Sequence, residues 1–234
     1  MMLWFNDVFS DEVIAGFSDR SMDFSLSSTE RPLTQAQYDY LKQHIFFDLF
    51  QFCHLSQVHG NTIWPVDKRL SRPEDSIREA DGIMTRLKKQ MIAIRTADCL
   101  PVFIYDQHRE GIALVHAGWK GAKGAIVQEA VKAIRQQWQS DSKDLKIVLG
   151  PGIRPCCYEV GSEFQSIFSQ GIEFRSGKYY LDLPMIVRMQ FLQVGVRPEQ
   201  IYNCDLCSCC CPEFFSYRRE SGQAGRMIAI MMLR

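Results

Sequence analysis

The sequence has no surplus of charge of either sign: 27 basic residues balance 27 acidic ones in 234. Without a basic stripe there is no electrostatic footprint for nucleic acid, and no such partner is expected. No apolar run approaches the roughly 18–20 residues a helix needs to span a bilayer. The opening stretch, MMLWFNDVFSDEV, lacks a basic start, a clean apolar segment and a small-residue cleavage site. The expected setting is therefore cytoplasmic, with no membrane attachment. Internal repeats and low-complexity tracts are missing, as is any Gly- or Ser-rich linker, which removes solenoids and gives no sign of a second domain. Neither a phosphate-binding Walker loop nor a dinucleotide fingerprint occurs.

What is present is ordinary for a globular chain: 46% apolar and 23% charged residues. The segment 18–37 is polar and reads as a loop leading into a helical stretch over 37–50, and 62–66 reads as a strand. The charged segment 67–80 contains Pro73 and reads as a surface excursion. Three short apolar runs, 91–95, 101–105 and 111–116, read as strands of one buried sheet. A helix is predicted from about 121 to 138, because Ala122, Ala125, Ile126, Ala130, Val131 and Ile134 fall on one stripe. Further strands are expected at 146–149, 201–203 and 227–232, and helices at 162–169 and 183–194. Strands and helices interleave throughout, so the expected fold is α/β, one domain over residues 1–234.

Three polar residues stand where a core prefers apolar ones. His59 lies in Gln57-Val58-His59-Gly60, Cys99 in a turn between two predicted strands, and His116 at the end of the third. Two imidazoles and a thiolate are a borderline-soft set suited to one Zn²⁺ per chain, with the fourth tetrahedral position left for water or substrate. Their long spacing is no motif, and from spacing alone the plainer reading is a satisfied core histidine, a buried free cysteine and a capping histidine. Gly118 to Gly124 open a helix just after His116, where free N–H groups and Lys120 or Lys123 suit an anion; a tight turn is the plainer reading. Arg218 and Arg219, beside Phe214, Phe215 and Tyr217 and followed by Arg226, have the makings of a phosphate clamp, or of a solvated basic face. Nine cysteines are present, five of them between Cys204 and Cys211. No Cys-x-x-Cys occurs outside the Cys204–Cys211 cluster to supply a separate half-site, and adjacent cysteines cannot all turn toward one ion, so no second metal site is expected. A bridge between neighbours Cys156 and Cys157 would be strained.

Taken in order, these segments resemble the YfiH-type family, long described as multicopper polyphenol oxidases (laccases) and now regarded as purine nucleoside enzymes. The matching stretches are Gly16–Arg20, Gln57–Gly60, Ala80–Gly82, Thr96–Val102, Val115–Gly121, Gly150–Ile153, Cys157–Gly161, Asp205–Ser208, and Phe215–Arg219 with Gly225-Arg226. The resemblance implies a layered α/β sandwich similar to a deamidating bacterial toxin domain, and metal ligands that fall on His59, Cys99 and His116. It implies phosphorolysis of adenosine, inosine, guanosine and methylthioadenosine, and hydrolytic deamination of adenosine, with a nucleoside and phosphate as partners. A role in removing faulty peptidoglycan precursors is attached to bacterial members. After Arg20 the family usually carries Gly-Gly-Val-Ser and Asn-Leu-Gly segments, whereas Ser21 to Ser28 read otherwise here, which alters a loop expected to contact substrate. Ser208 stands where threonine is usual, and Cys209, Cys210 and Cys211 lie outside the family pattern.

For deamination, activated water would attack C6 of the purine while a carboxylate moves the proton. Asp98 is the first candidate for that shuttle and Glu159 the second; Asp98 serves equally as a carboxylate that orients a ligand histidine. For phosphorolysis, Arg20, Arg218 and Arg219 would hold phosphate during attack on C1′, with Gln57 and Lys120 as further substrate contacts. A cytidine-deaminase arrangement is excluded because the Pro-Cys-x-x-Cys half of its zinc signature is lacking. Copper is the alternative ion, since His₂Cys with an axial methionine is a blue-copper set. A multicopper laccase, however, requires about ten histidines, and the chain has five. A metal-free reading makes Cys99 a nucleophile activated by His116, and a binding protein without turnover is the last alternative.

Overall fold

The three apolar runs do become strands, but not of one sheet. In the computed structural model, which describes residues 1–25, 33–45, 51–69 and 77–234, two six-stranded sheets form. The first runs edge to edge through Met2–Trp4, Val13–Ser18, Met227–Leu233, Gln90–Thr96, Gln51–Ser56 and Ile77–Glu79. The second runs through Ile201–Asn203, Leu145–Leu149, Leu100–Asp106, Gly111–Ala117, Gly82–Thr85 and Ile63–Val66. Both are mixed. Met227–Leu233 is antiparallel to both neighbours, whereas Gln51–Ser56 is parallel to Gln90–Thr96 and to Ile77–Glu79. A small antiparallel sheet, Glu159–Val160, Lys178–Leu181 and Ile172–Arg175, lies apart from them.

The continuous apolar runs follow from burial on both faces of each sheet. Side chains alternate across a strand. In Gln90–Thr96, Ile92 and Ile94 enter the core between the sheets, while Met91 and Ala93 join Leu41 and Phe24 on the outer face of the first sheet. In Leu100–Asp106, Phe103 and Tyr105 point to the inter-sheet core, while Leu100, Val102 and Ile104 pack toward the helices on the other face. The layers are thus helix, sheet, sheet, helix, a mixed α/β sandwich.

The outer helices are read from local chemistry. Gln35–His44 starts at Thr34, whose hydroxyl accepts from Gln37 N–H while the Gln37 side chain returns to Thr34, a reciprocal cap. The expected helix over 37–50 thus begins two residues early and is described to His44; residues 46–50 lie outside the described residues, as do 26–32 and 70–76. The altered loop after Arg20 and the excursion over 67–80 fall partly there. The predicted 121–138 helix is two helices, Trp119–Lys123 and Ile126–Trp138, because Ala125 takes a left-handed conformation with φ 55°. The stripe Ile126, Val127, Ala130, Val131 and Ile134 survives the break and is buried. The expected helix over 162–169 shrinks to Phe164–Ile167, and Leu183–Gln193 is capped by Asp182 at Met185 N–H. No helix among the described residues is long and apolar enough to cross a membrane.

Phe103 is fully buried between the sheets, its ring centroid 5.1 Å from that of Phe5. Phe103→Ala leaves a cavity where both sheets meet, and is expected to lower unfolding stability by about 3–5 kcal/mol, read from the shift of the urea midpoint at unchanged slope.

Candidate metal centre and its cavity

Strand register brings two of the three ligand candidates together. Leu100 pairs with Ala117 and Pro101 with His116, so Cys99, just before one strand, sits beside His116 near the end of its neighbour. On the other side of His116, Gly82 pairs with Val115, which places Asp81 alongside; the Asp81 carbonyl accepts the His116 N–H at 2.7 Å. The third candidate comes from the other sheet, where Gln51–Ser56 runs out into Gln57, Val58 and His59. Ligand atoms of His59, Cys99 and His116 all lie within 4.8 Å of one another. Exposure grades across the trio: His116 is buried, Cys99 half-buried and His59 exposed.

Asp81 holds this geometry. Fully buried, it accepts N–H bonds from Val58 at 3.2 Å, His59 at 2.9 Å and Gly60 at 2.7 Å, and its Oδ1 lies 2.8 Å from His116 Nδ1. Burial opposes its ionisation, but the bond from His116 and the loop amides hold its carboxyl below the usual range. One carboxylate thereby fixes the loop that presents His59 and turns His116 Nε2 toward Cys99, as second-layer carboxylates do for metal-ligating histidines. His59 is held at φ 60° and Asp98 at φ 83°, left-handed conformations that cost non-glycine residues on the order of 1 kcal/mol and cluster at functional sites.

The three residues are electrostatically coupled. Burial alone would keep the Cys99 thiol protonated, but His116 and His59 overcome it and bring the thiol down to about 6. Burial likewise disfavours a charged His116, yet the Cys99 thiolate and Asp81 raise it to about 9. A divalent ion matches this donor set: two imidazoles and a thiolate made acidic by its neighbours. Gly118 leaves room for it, because a Cβ there would stand 2.9 Å from Cys99 Sγ.

The trio faces a cavity of about 730 Å³ whose wall includes Trp119, Tyr158, Tyr217, Arg95, Arg218 and Arg226. The Arg218 guanidinium lies 5.5 Å from the Tyr158 ring centroid. Asp98 and Gln57 also line the cavity, but both are internally engaged. Asp98 Oδ1 accepts from Ser208 Oγ at 2.6 Å, and Oδ2 accepts from Ser216 Oγ and the Arg218 N–H. Gln57 exchanges two bonds of 2.7 Å with the Arg95 main chain.

The remaining candidates sit off the cavity wall. Arg219 donates to the carbonyls of Ser208, Cys209, Cys211 and Phe214 and pairs with Glu220. Arg20 lies over the Phe215 ring and near Glu220. Lys120 is exposed beside the Trp119 ring, and Glu159 is paired with Lys178 at 2.8 Å. The carboxylate that orients a ligand histidine is Asp81, not Asp98, since the strand register places Asp81 beside His116. An aspartate inside the apolar stretch Ala80–Met84 was the available signal. Arg95, a lone guanidinium closing the apolar run from Met91, is a second residue of this kind, on the cavity wall; it donates to the Phe24 carbonyl and to His54 Nδ1. The cysteines also depart from expectation. Cys156 and Cys157, adjacent in sequence, both turn toward Cys207 and Cys210, because a turn closed by bonds from Cys157 and Tyr158 N–H to the Arg154 carbonyl folds that pair back.

Asp81→Asn removes the charge that holds His116 and sets an amide against three N–H donors. Metal affinity is expected to fall about 10–100-fold, measured by competition with a chromophoric chelator. Metal binding should also strengthen as pH rises from about 6 to about 9. In that window Cys99 is already a thiolate while His116 still carries the proton that an incoming ion displaces. Calorimetry in buffers of different ionisation enthalpy should record about one proton released per ion; pH-independent binding would contradict the Cys99–His116 pairing.

The chain is 32% identical over 155 residues to a protein of Aquifex aeolicus named purine nucleoside phosphorylase, covering 66% of this chain and 72% of that one. It is 31% identical over 195 residues to a likewise named protein of Clostridium acetobutylicum, covering 80% and 79%. The crystal structure of the hypothetical protein YfiH of Bacillus licheniformis superposes with a TM-score of 0.86 at 25% identity, covering 100% of this chain and 96% of that one. A sequence profile described as multi-copper polyphenol oxidoreductase laccase matches residues 14–234. On these grounds the chain belongs to that laccase-named family, whose relatives include the proteins named purine nucleoside phosphorylase.

Proposed function

We propose that the protein is a zinc-dependent purine nucleoside phosphorylase. Phosphate oxygen would bond to C1′ of the ribose as the C1′–N9 bond breaks, giving free purine and ribose 1-phosphate. The observation that supports this best is the pairing, in one cavity, of aromatic faces with arginines beside the His59, Cys99 and His116 trio. Trp119, Tyr158 and Tyr217 offer planes on which a purine stacks, and Arg218 and Arg226 offer the planar forks that suit a phosphate. The cavity volume falls within the range of about 300–1,000 Å³ common for small-molecule sites. An ion held by the trio would act as a Lewis acid on a substrate oxygen or on water.

In this reading the chain's own groups mainly position. Asp98 holds the Arg218 main chain and sets the turn that presents Cys99, and Asp81 fixes His116 and the His59 loop. Holding phosphate and nucleoside in one orientation removes much of the entropic part of the barrier. Adenosine, inosine, guanosine and methylthioadenosine are the proposed substrates. Hydrolytic deamination of adenosine at the same site is the less supported activity. Both oxygens of Asp98 are occupied by donors and Glu159 is turned to Lys178, so neither candidate carboxylate stands free to move a proton.

The test is to incubate zinc-loaded protein with adenosine, with and without phosphate, and to read the products by mass. Adenine and ribose 1-phosphate should appear only with phosphate. Cys99→Ala should abolish turnover, and Arg218→Ala should raise the KM for phosphate about 10–100-fold, as expected for one charge-assisted bond. Inosine formed without phosphate would favour deamination. No product under either condition, with metal fully bound, would eliminate both.

A further inference from the structure

Beside this cavity lies a second cluster with metal-ligand chemistry. The sulfurs of Cys156, Cys157, Cys207 and Cys210 all lie within 4.8 Å of one another. Cys210 Sγ is 3.5 Å from Cys156 Sγ and 3.3 Å from Cys157 Sγ. These are too long for a disulfide, whose sulfurs stand about 2.05 Å apart. They are close to the edge of about 3.8 Å that four sulfurs define when each is bonded at about 2.3 Å to one tetrahedral ion. We propose that Cys156, Cys157, Cys207 and Cys210 bind a structural zinc ion, separate from the His59, Cys99 and His116 centre.

The fold makes two half-sites from unlike pieces of sequence. Cys207-Ser208-Cys209-Cys210 is a Cys-x-x-Cys turn, closed by a bond from Cys211 N–H to the Cys207 carbonyl. The main-chain N–H groups of Cys209 and Cys210 are directed at Cys207 Sγ, a pattern that favours a thiolate there. The other half-site is the adjacent pair Cys156 and Cys157. A bridge between Gly152 and Cys207 holds the two segments in register, with Gly152 N–H bonded to the Leu206 carbonyl and Ser208 N–H to that of Gly152. Cys209 and Cys211 are not in the group, and Arg219 ties their carbonyls and that of Ser208 in place. With four protein sulfurs the coordination is complete, so the ion takes no substrate.

Its position gives it a task. Tyr158, next to Cys157, lines the cavity, and Ser208, next to Cys207, donates to Asp98 beside Cys99. A zinc here would fasten together the two segments that wall the reaction cavity and brace the turn carrying Cys99. Cys156 and Cys210 are exposed, which leaves an entry path for the ion.

The experiment is elemental analysis of the full chain purified under reductant and loaded with zinc, together with X-ray absorption at the zinc edge. Wild type should hold about two zinc ions per chain and Cys99→Ala about one, the retained ion showing only sulfur neighbours at about 2.3 Å. Cys210→Ser should lose that ion while keeping the one at His59, Cys99 and His116. Cobalt substitution of Cys99→Ala should give a thiolate-to-cobalt charge-transfer band, absent when Cys210→Ser is added. About one zinc in wild type and none in Cys99→Ala overturns the proposal. So do disulfides between Cys156 or Cys157 and Cys207 or Cys210 in the unreduced protein, found by mass. Wild-type stoichiometry and absorption depend on no variant, so a misfolded mutant leaves the test intact.

Discussion

A single buried carboxylate organises the centre. Asp81 has no exposed surface, yet it is an acceptor with several donors around it: three successive main-chain N–H groups of the His59 loop and the ring of His116. A buried charge is tolerated only when paired and hydrogen-bonded, and here the partners that satisfy it belong to the candidate metal centre. Satisfying Asp81 and assembling the site are therefore the same event. The left-handed backbone of His59 persists because Asp81 holds the loop on both sides of it.

The sandwich gives that carboxylate a fixed frame. Two sheets pack face to face, each covered by helices on its outer side, and the ligands emerge at one end of the stack. Cys99 and His116 belong to neighbouring strands of one sheet, and His59 follows a strand of the other. The centre thus spans the seam between sheets, and its geometry depends on how they stack. Densely packed layers resist small displacements, so distant core residues such as Phe103 bear on ligand spacing. The four-cysteine cluster adds a second tie in the segments behind Cys99.

Much of this was legible in the order of residues. Continuous apolar runs gave the strands because both faces of each sheet are covered, and the stripe from Ile126 to Ile134 gave the long helix. His59, Cys99 and His116 stood out as polar residues at strand ends. Less legible was the break at Ala125, since alanine carries no mark of a left-handed φ. Local pattern also gave no hint that 91–95 and 101–105 belong to different sheets, because a strand buried on both faces looks the same in either. The arginines illustrate the same limit: Arg218 lines the cavity while its neighbour Arg219 is spent on carbonyls.

By itself the sequence determined which chemistry was available: two imidazoles and a thiolate, a set of arginines beside aromatics, and an excess of thiols. It also determined the secondary structure that apolar periodicity can write, because that signal is local. Tertiary structure alone decided which carboxylate serves His116, which arginines reach the cavity, and that Cys156 and Cys157 meet Cys207 and Cys210 across about fifty intervening residues. Those outcomes depend on strand register and sheet stacking, which are set by the whole core at once and by no short stretch of chain.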